Sequence, residues 1–192
     1  MNGMRLIVVL VVIAVAQVGC FEPLKEVKGR SAIEQQVTSV AIERAINMLE
    51  IPPDKFNDTY KIKVTGLAGT DKEWVQACLQ RRLHAEGIRV DQSDNEDLSV
   101  MEAIVTYAGS DLEMMIFGVP LFIPGIPAAL GDVSVLKWET QHGRAKIGLC
   151  LWSPEEELLF CIKDKKARVK FMNHTYLTFI GPFIYTDIEG FK

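Results

Sequence analysis

The sequence predicts an α+β fold: one mixed sheet carrying two packed helices, followed by an antiparallel β-meander. Three observations lead there. Two capping-box patterns, Ser31-Ala-Ile-Glu34 and Thr70-Asp-Lys-Glu73, each open a helical stripe of apolar residues. Tyr60-Lys-Ile-Lys-Val-Thr65 alternates apolar and polar, as a half-buried strand does. The last third reads as short β-rich runs separated by turn signals.

In chain order, the first helix starts at Ser31 as N-cap. Its expected apolar stripe is Ile33, Val37, Val40, Ala41, Ala45, Met48 and Leu49, and Pro52-Pro53 stops it, because proline lacks a donor and restricts the residue before it. The strand at 60–65 leads through Gly66 and Gly69 to the second helix. That helix is expected to bury Trp74, Val75, Cys78, Leu79 and Leu83, with Gly87 at its C-terminal cap position. Ile88-Arg-Val90 is a short strand, and a strand–helix–strand unit of this length implies a right-handed crossover and a parallel pair. Residues 98–108 are apolar on both faces, which suits a central strand. The meander is expected at about 133–140, 144–152, 157–163, 167–173 and 176–180, with turns at Gln141-His142-Gly143 and Ser153-Pro154-Glu155-Glu156.

Between these halves, Met114 to Leu130 is apolar for 17 residues. Pro120, Pro124 and Pro127 with Gly118 and Gly125 break any regular helix, so a membrane-spanning helix is not expected. Two readings remain open: a loop folded over the core, or an apolar contact surface formed by Phe117, Leu121, Phe122, Ile123 and Ile126.

The N-terminus has its own logic. A weakly positive start with Arg5 is followed by 11 apolar residues, Leu6 to Ala16. At ~1.5 Å rise per residue they cover about half of a ~30 Å hydrocarbon core, which is signal-peptide length. Gln17-Val18-Gly19-Cys20 resembles a bacterial lipobox, with Gln17 where Leu is usual. That resemblance implies cleavage after residue 19, a lipid on Cys20, and anchoring by several acyl chains, palmitate among them. It also implies an outer-membrane address facing the periplasm, since Phe21 rather than Asp follows the cysteine. The expected organisation is a signal peptide at 1–19, a tether at 20–30 and a single α+β domain at 31–192. Removing 1–19 leaves 173 residues, enough for one domain with a core. The formal charge of the whole chain is −4, and an acidic chain argues against nucleic acid as a partner.

Candidate chemistry is sparse. Cys150 and Cys161 flank the Pro154–Glu157 turn symmetrically, so they are either a cross-strand disulfide or two small apolar residues of a sheet. Cys78, on the apolar helix face, reads as a buried free thiol. His84, His142 and His174 have no metal-ligand spacing, and no nucleophile elbow, P-loop or dinucleotide fingerprint occurs. Neither a metal, a cofactor nor an enzyme activity is expected. Asp94 to Asp97 and Glu155 to Glu157 read as solvated turns. Lys163-Asp-Lys-Lys-Ala-Arg168 is a small basic cluster, a solvated hairpin end or a contact for anionic head groups or glycan.

Ser31…Glu34-Gln35, Ile126-Pro127, Gly143-Arg-Ala-Lys-Ile-Gly148 and Gly181-Pro182-Phe183 together resemble an uncharacterised family of bacterial lipoproteins. The first half is also distantly similar to the domain of curli-secretion-type and peptidoglycan-synthase-activator lipoproteins. The resemblance implies a non-enzymatic envelope component acting by protein contact or self-assembly. Long amphipathic hairpins of the kind a pore needs are not expected from this sequence, so pore formation is not carried over. A small-ligand-binding or hydrolytic envelope protein is the alternative.

Overall fold

The computed structural model describes residues 30–52, 58–91, 93, 97–120, 132–177 and 180–189. The expected signal peptide, Cys20 and the tether up to residue 29 lie outside them. Two helices, α1 (Ala32–Asn47) and α2 (Lys72–Ala85), accompany six strands. The strands are β1 (Thr59–Gly66), β2 (Arg89–Val90), β3 (Val100–Pro120), β4 (Asp132–Trp152), β5 (Leu158–Tyr176) and β6 (Ile180–Thr186). They form one sheet in the order β2-β1-β3-β4-β5-β6.

The sheet is mixed for reasons visible in its connections. β1 runs parallel to β2 (Thr59 opposite Arg89) through the α2 crossover, and parallel to β3 (Lys61 opposite Val100). The later pairs are antiparallel, because partners descend one strand as they ascend the other. Glu102 meets Trp152 and Asp111 meets Arg144; Cys150 meets Cys161 and Lys146 meets Asp164. The α+β class with a mixed sheet and two helices is therefore the one the sequence predicts.

The strand boundaries differ from expectation. The first four expected meander segments are two long strands, β4 of 21 residues and β5 of 19, while the fifth, expected at 176–180, falls at the end of β5 with Leu177 in a turn, and the last strand is β6 of 7 residues. β3, also of 21 residues, runs on from the expected 98–108 into the apolar stretch. Long hairpin strands are thus present where none was expected. Gln141-His142-Gly143 is not a turn but the middle of β4. Turn-forming residue types sit there because the sheet needs a residue without a side chain, as the packing of Gly143 shows below.

Contacts divide the described residues into two compact units. Unit 1 takes the described residues within 112–140 and 172–185; unit 2 takes those within 30–111, 141–171 and 186–189. Unit 2 holds the core. Ser31 Oγ accepts the Glu34 backbone N–H at 3.1 Å and starts α1, while the Glu34 carboxylate turns to Arg30 at 3.8 Å instead of closing the reciprocal half of a capping box. The buried face of α1 is Val37, Thr38, Ala41, Ile42, Ala45 and Ile46. Met48, expected inside, is half exposed, and Ile42 and Ile46 take the space, so the stripe is rotated from the expected one. α2 is preceded by a 3-10 turn at Gly69–Asp71, and its N-cap is Asp71 without a side-chain cap bond; the expected Thr70 box is not made. Val75, Cys78, Leu79 and Leu83 are buried as expected. Trp74 is exposed and donates its indole N–H to the Ser39 carbonyl at 3.3 Å, because an indole keeps its polar atom paired at a surface more easily than inside. Gly87 closes α2 with φ +79, the left-handed conformation of a helix C-terminus.

On the sheet, Tyr60, Ile62 and Val64 of β1, Met101, Ala103 and Val105 of β3, and Ala145, Ile147 and Leu149 of β4 fill the core. Each fully buried aliphatic side chain contributes roughly 1.5–3 kcal/mol. The alternation on β3 makes the expected two-sided apolar strand one-sided: Met101 and Ala103 point to the core while Ile104 is exposed. α1 reaches β4 at its backbone, where a side chain on Gly143 would meet the Val37 carbonyl carbon and oxygen at 2.4 and 2.0 Å.

Candidate functional site

Unit 1 consists of the ends of long strands. β3 contributes Leu112 to Pro120, β4 Asp132 to Thr140, β5 Met172 to Tyr176, and β6 Ile180 to Tyr185. In place of a polar face opposite an apolar one, unit 1 shows large apolar side chains in adjacent positions. Met114 and Met115 are neighbours and both exposed, as are Phe183, Ile184 and Tyr185. Successive strand residues point to opposite faces, so both faces of this sheet carry apolar surface. Unit 1 is where the exposed apolar side chains of the described residues concentrate, and such surface on a folded chain marks contact.

One face bears a row of rings. Trp138 of β4 lies 5.7 Å from His174 of β5, and His174 lies 5.4 Å from Tyr185 of β6. Tyr176 and Phe183 pack edge to face at 5.7 Å one step further on. Centroid spacings of this size are those of attractive aromatic pairs. Across the strand pleat, Glu139 accepts the Asn173 amide at 3.2 Å and pairs with Lys137 at 2.8 Å. These polar links cross from β4 to β5 and along β4, which holds the strands in register while the rings remain partly open to solvent.

β6 is the outer strand of the sheet, so half of its backbone N–H and C=O groups have no strand partner among the described residues. From Ile180 to Thr186 it carries no charge. Natural edges are usually blunted by lysine, proline or short length. Here Pro182, after a cis peptide from Gly181, removes one donor near the start, and Phe183 to Thr186 remain.

Of the contact residues expected from sequence, Phe117 lies on β3 and is 45% exposed. Leu121, Phe122, Ile123 and Ile126 lie outside the described residues, as does the lipidation candidate Cys20. The row of rings was not foreseen. Its only sequence signal is that Trp138, His174, Tyr176, Phe183 and Tyr185 fall at even spacing within their strands. Cys150 and Cys161 are joined by a disulfide across β4 and β5 in unit 2.

The other chemistry-bearing groups do not converge. His84 stands in the last turn of α2, His142 lies buried against the Arg168 guanidinium at 3.2 Å, and His174 sits between the rings of unit 1. Among the described residues no three His, Cys, Asp or Glu side chains are grouped to hold a metal. Cys78 is 4% exposed, and burial pushes its thiol to about 11, only partly opposed by Arg81. At pH 8 about one molecule in a thousand carries the thiolate, so Cys78 is expected to resist iodoacetamide until the unit unfolds. Alkylation of the native chain at the rate of a free thiol would show that the helix face opens.

No protein family and no curated protein matches the chain. Among solved structures, rare lipoprotein B from Shewanella oneidensis is similar at 11% identity and a TM-score of 0.24, over 59% of this chain and 69% of that one. Among the described residues no helix is long and apolar enough to cross a membrane.

Proposed function

We propose that this chain is a lipid-anchored protein of the cell envelope, held in the outer membrane through Cys20, that acts by protein contact and associates with further copies of itself through unit 1. The anchoring part rests on the 11-residue apolar run and the Gln17-Val18-Gly19-Cys20 ending. The contact part rests on one observation above the others: β6 is an uncharged edge strand whose Phe183, Ile184 and Tyr185 are exposed side by side. An open edge offers its unpaired backbone groups to another strand, and the apolar side chains on both faces then bury against the newcomer. No catalysis is part of this reading.

The test combines two measurements on protein extracted from its native membranes. Intact mass reports the lipid: a diacylglyceryl mass on a chain starting at Cys20 is expected, and an unlipidated chain would remove the anchor from the proposal. Light scattering reports assembly: the wild type is expected to be multimeric and Ile184→Asp/Tyr185→Asp to run as a single chain. Both side chains lie outside the buried core, so the circular dichroism spectrum is expected to be unchanged. A monomeric wild type, or a variant that keeps the wild-type mass, would overturn the contact reading.

A further inference from the structure

In unit 2 the helices cover only one face of the sheet. The other face carries Lys61 and Lys63 on β1, Arg144 and Lys146 on β4, and Lys163 and Lys166 on β5. The side chains on β1 alternate with Tyr60, Ile62 and Val64, which fill the core, so the pleat itself sorts the lysines outward. The face is broad and shallow. One depression of about 680 Å³ is lined by Lys61, Lys63, Glu102 and Trp152, and another of about 620 Å³ by Lys146, Lys163, Asp164 and Lys166.

Three of the acids on this face are already engaged, while Glu156, exposed, stands at the rim of the first depression. Glu102 accepts the Trp152 indole N–H at 2.7 Å, Asp164 pairs with Lys146 at 2.8 Å, and Asp111 pairs with Arg144 at 3.3 Å. Lys63, Lys163 and Lys166 are exposed and form no ion pair among the described residues. On a chain whose formal charge is −4, three uncommitted lysines thus stand on one uncovered face.

We propose that this face docks on the anionic phospholipid head groups of the bilayer to which the chain is tethered. The inference rests on the Cys20 anchor proposed above. From Cys20 to Arg30, where the described residues begin, is ten residues, which span at most about 36 Å fully extended. The bilayer surface is therefore always within reach of unit 2. Lysines near an anionic bilayer are each attracted by about 1 kcal/mol, within a Debye length of roughly 8–10 Å. Their stems suit a flat interface, since four methylenes lie along apolar surface while the ammonium meets phosphate. Exposed Ile104 and half-buried Trp152 supply apolar and amphipathic surface between the cations.

The experiment uses the full chain with Cys20→Ala, so that no lipid is added, in flotation with phosphatidylcholine vesicles and with vesicles containing about a quarter phosphatidylglycerol. Arg5 and the apolar residues 6–16 are common to the parent chain and its lysine variant, so the difference between those two chains reads the basic face. Partition into the anionic vesicles is expected to be at least about tenfold higher, to fall to the phosphatidylcholine level near 0.5 M salt, and to be lost in Lys63→Glu/Lys163→Glu/Lys166→Glu. Amine labelling of the unsubstituted chain gives the same readout without relying on the variant's folding: Lys63, Lys163 and Lys166 are expected to be protected by anionic vesicles, and exposed Lys72 on α2 is not. Equal flotation in both vesicles, or unprotected lysines, would overturn the proposal. So would capture by a soluble anionic polymer without any vesicle preference. Failure of the anchor is read separately, as an unlipidated wild-type mass.

Discussion

Gly143→Ala is expected to destabilise the helix-bearing unit by about 3 kcal/mol, lowering its melting temperature by roughly 10 °C. The added methyl would stand 2.0 Å from the Val37 oxygen and 2.4 Å from the Val37 carbonyl carbon. Both are backbone atoms of α1, so no side chain can swing away. Either α1 lifts off β4 or the strand bends. A helix that lifts loses the packing of Val37, Ala41 and Ala45, all with no exposed surface. The contrast is Gly87, whose φ of +79 disfavours alanine but which has open space around it. Gly87→Ala is expected to cost about 1 kcal/mol, the conformational term alone. Thermal melts followed by far-ultraviolet circular dichroism separate the two. Equal melting temperatures for both variants would mean that α1 does not pack on the β4 backbone as described.

Loss of the Cys150–Cys161 disulfide is the second large effect. The two cysteines are 11 residues apart, and closing a loop of that length in the unfolded chain is worth about 3 kcal/mol. Cys150→Ser/Cys161→Ser, or the wild type under reductant, is expected to unfold at correspondingly lower urea concentration. The bond is permitted only where the compartment is oxidising, which agrees with the proposed address outside the cytoplasm. The check is urea unfolding with and without dithiothreitol. Identical midpoints, together with two free thiols from these positions in protein extracted under alkylating conditions, would show that the chain works reduced.

Much of the local structure was legible in the residues. The Ser31 cap, the alternation from Tyr60 to Val64 and the Gly87 stop each depend on neighbours close in sequence, and each is present. The misreadings share a cause. Gln141-His142-Gly143 carries turn-type residues, yet it is mid-strand because α1, whose Val37 lies far earlier in the chain, needs the space. Trp74 has helical spacing for the core, yet it lies outside because Ser39 of the other helix offers its carbonyl at the surface. Met114 to Pro120 looked like irregular apolar chain, yet it continues β3, because strands gain regularity from lateral hydrogen bonds that no local pattern records.

The sequence by itself determined the class of fold, the two helices and the parallel crossover, since periodicity and caps act over a few residues. It also carries the apolar run Leu6 to Ala16 and the Gln17-Val18-Gly19-Cys20 ending, a linear segment on which the proposed address rests. The tertiary structure alone decided which rings share a face of unit 1 and that β6 ends the sheet without a charge. It alone also decided that Lys61, Lys63, Lys146, Lys163 and Lys166 share one face of unit 2. Net charge is a sum, and a sum does not say where the charges stand. Strand pleating and helix packing do, by sending alternate side chains to opposite faces and covering only one of them.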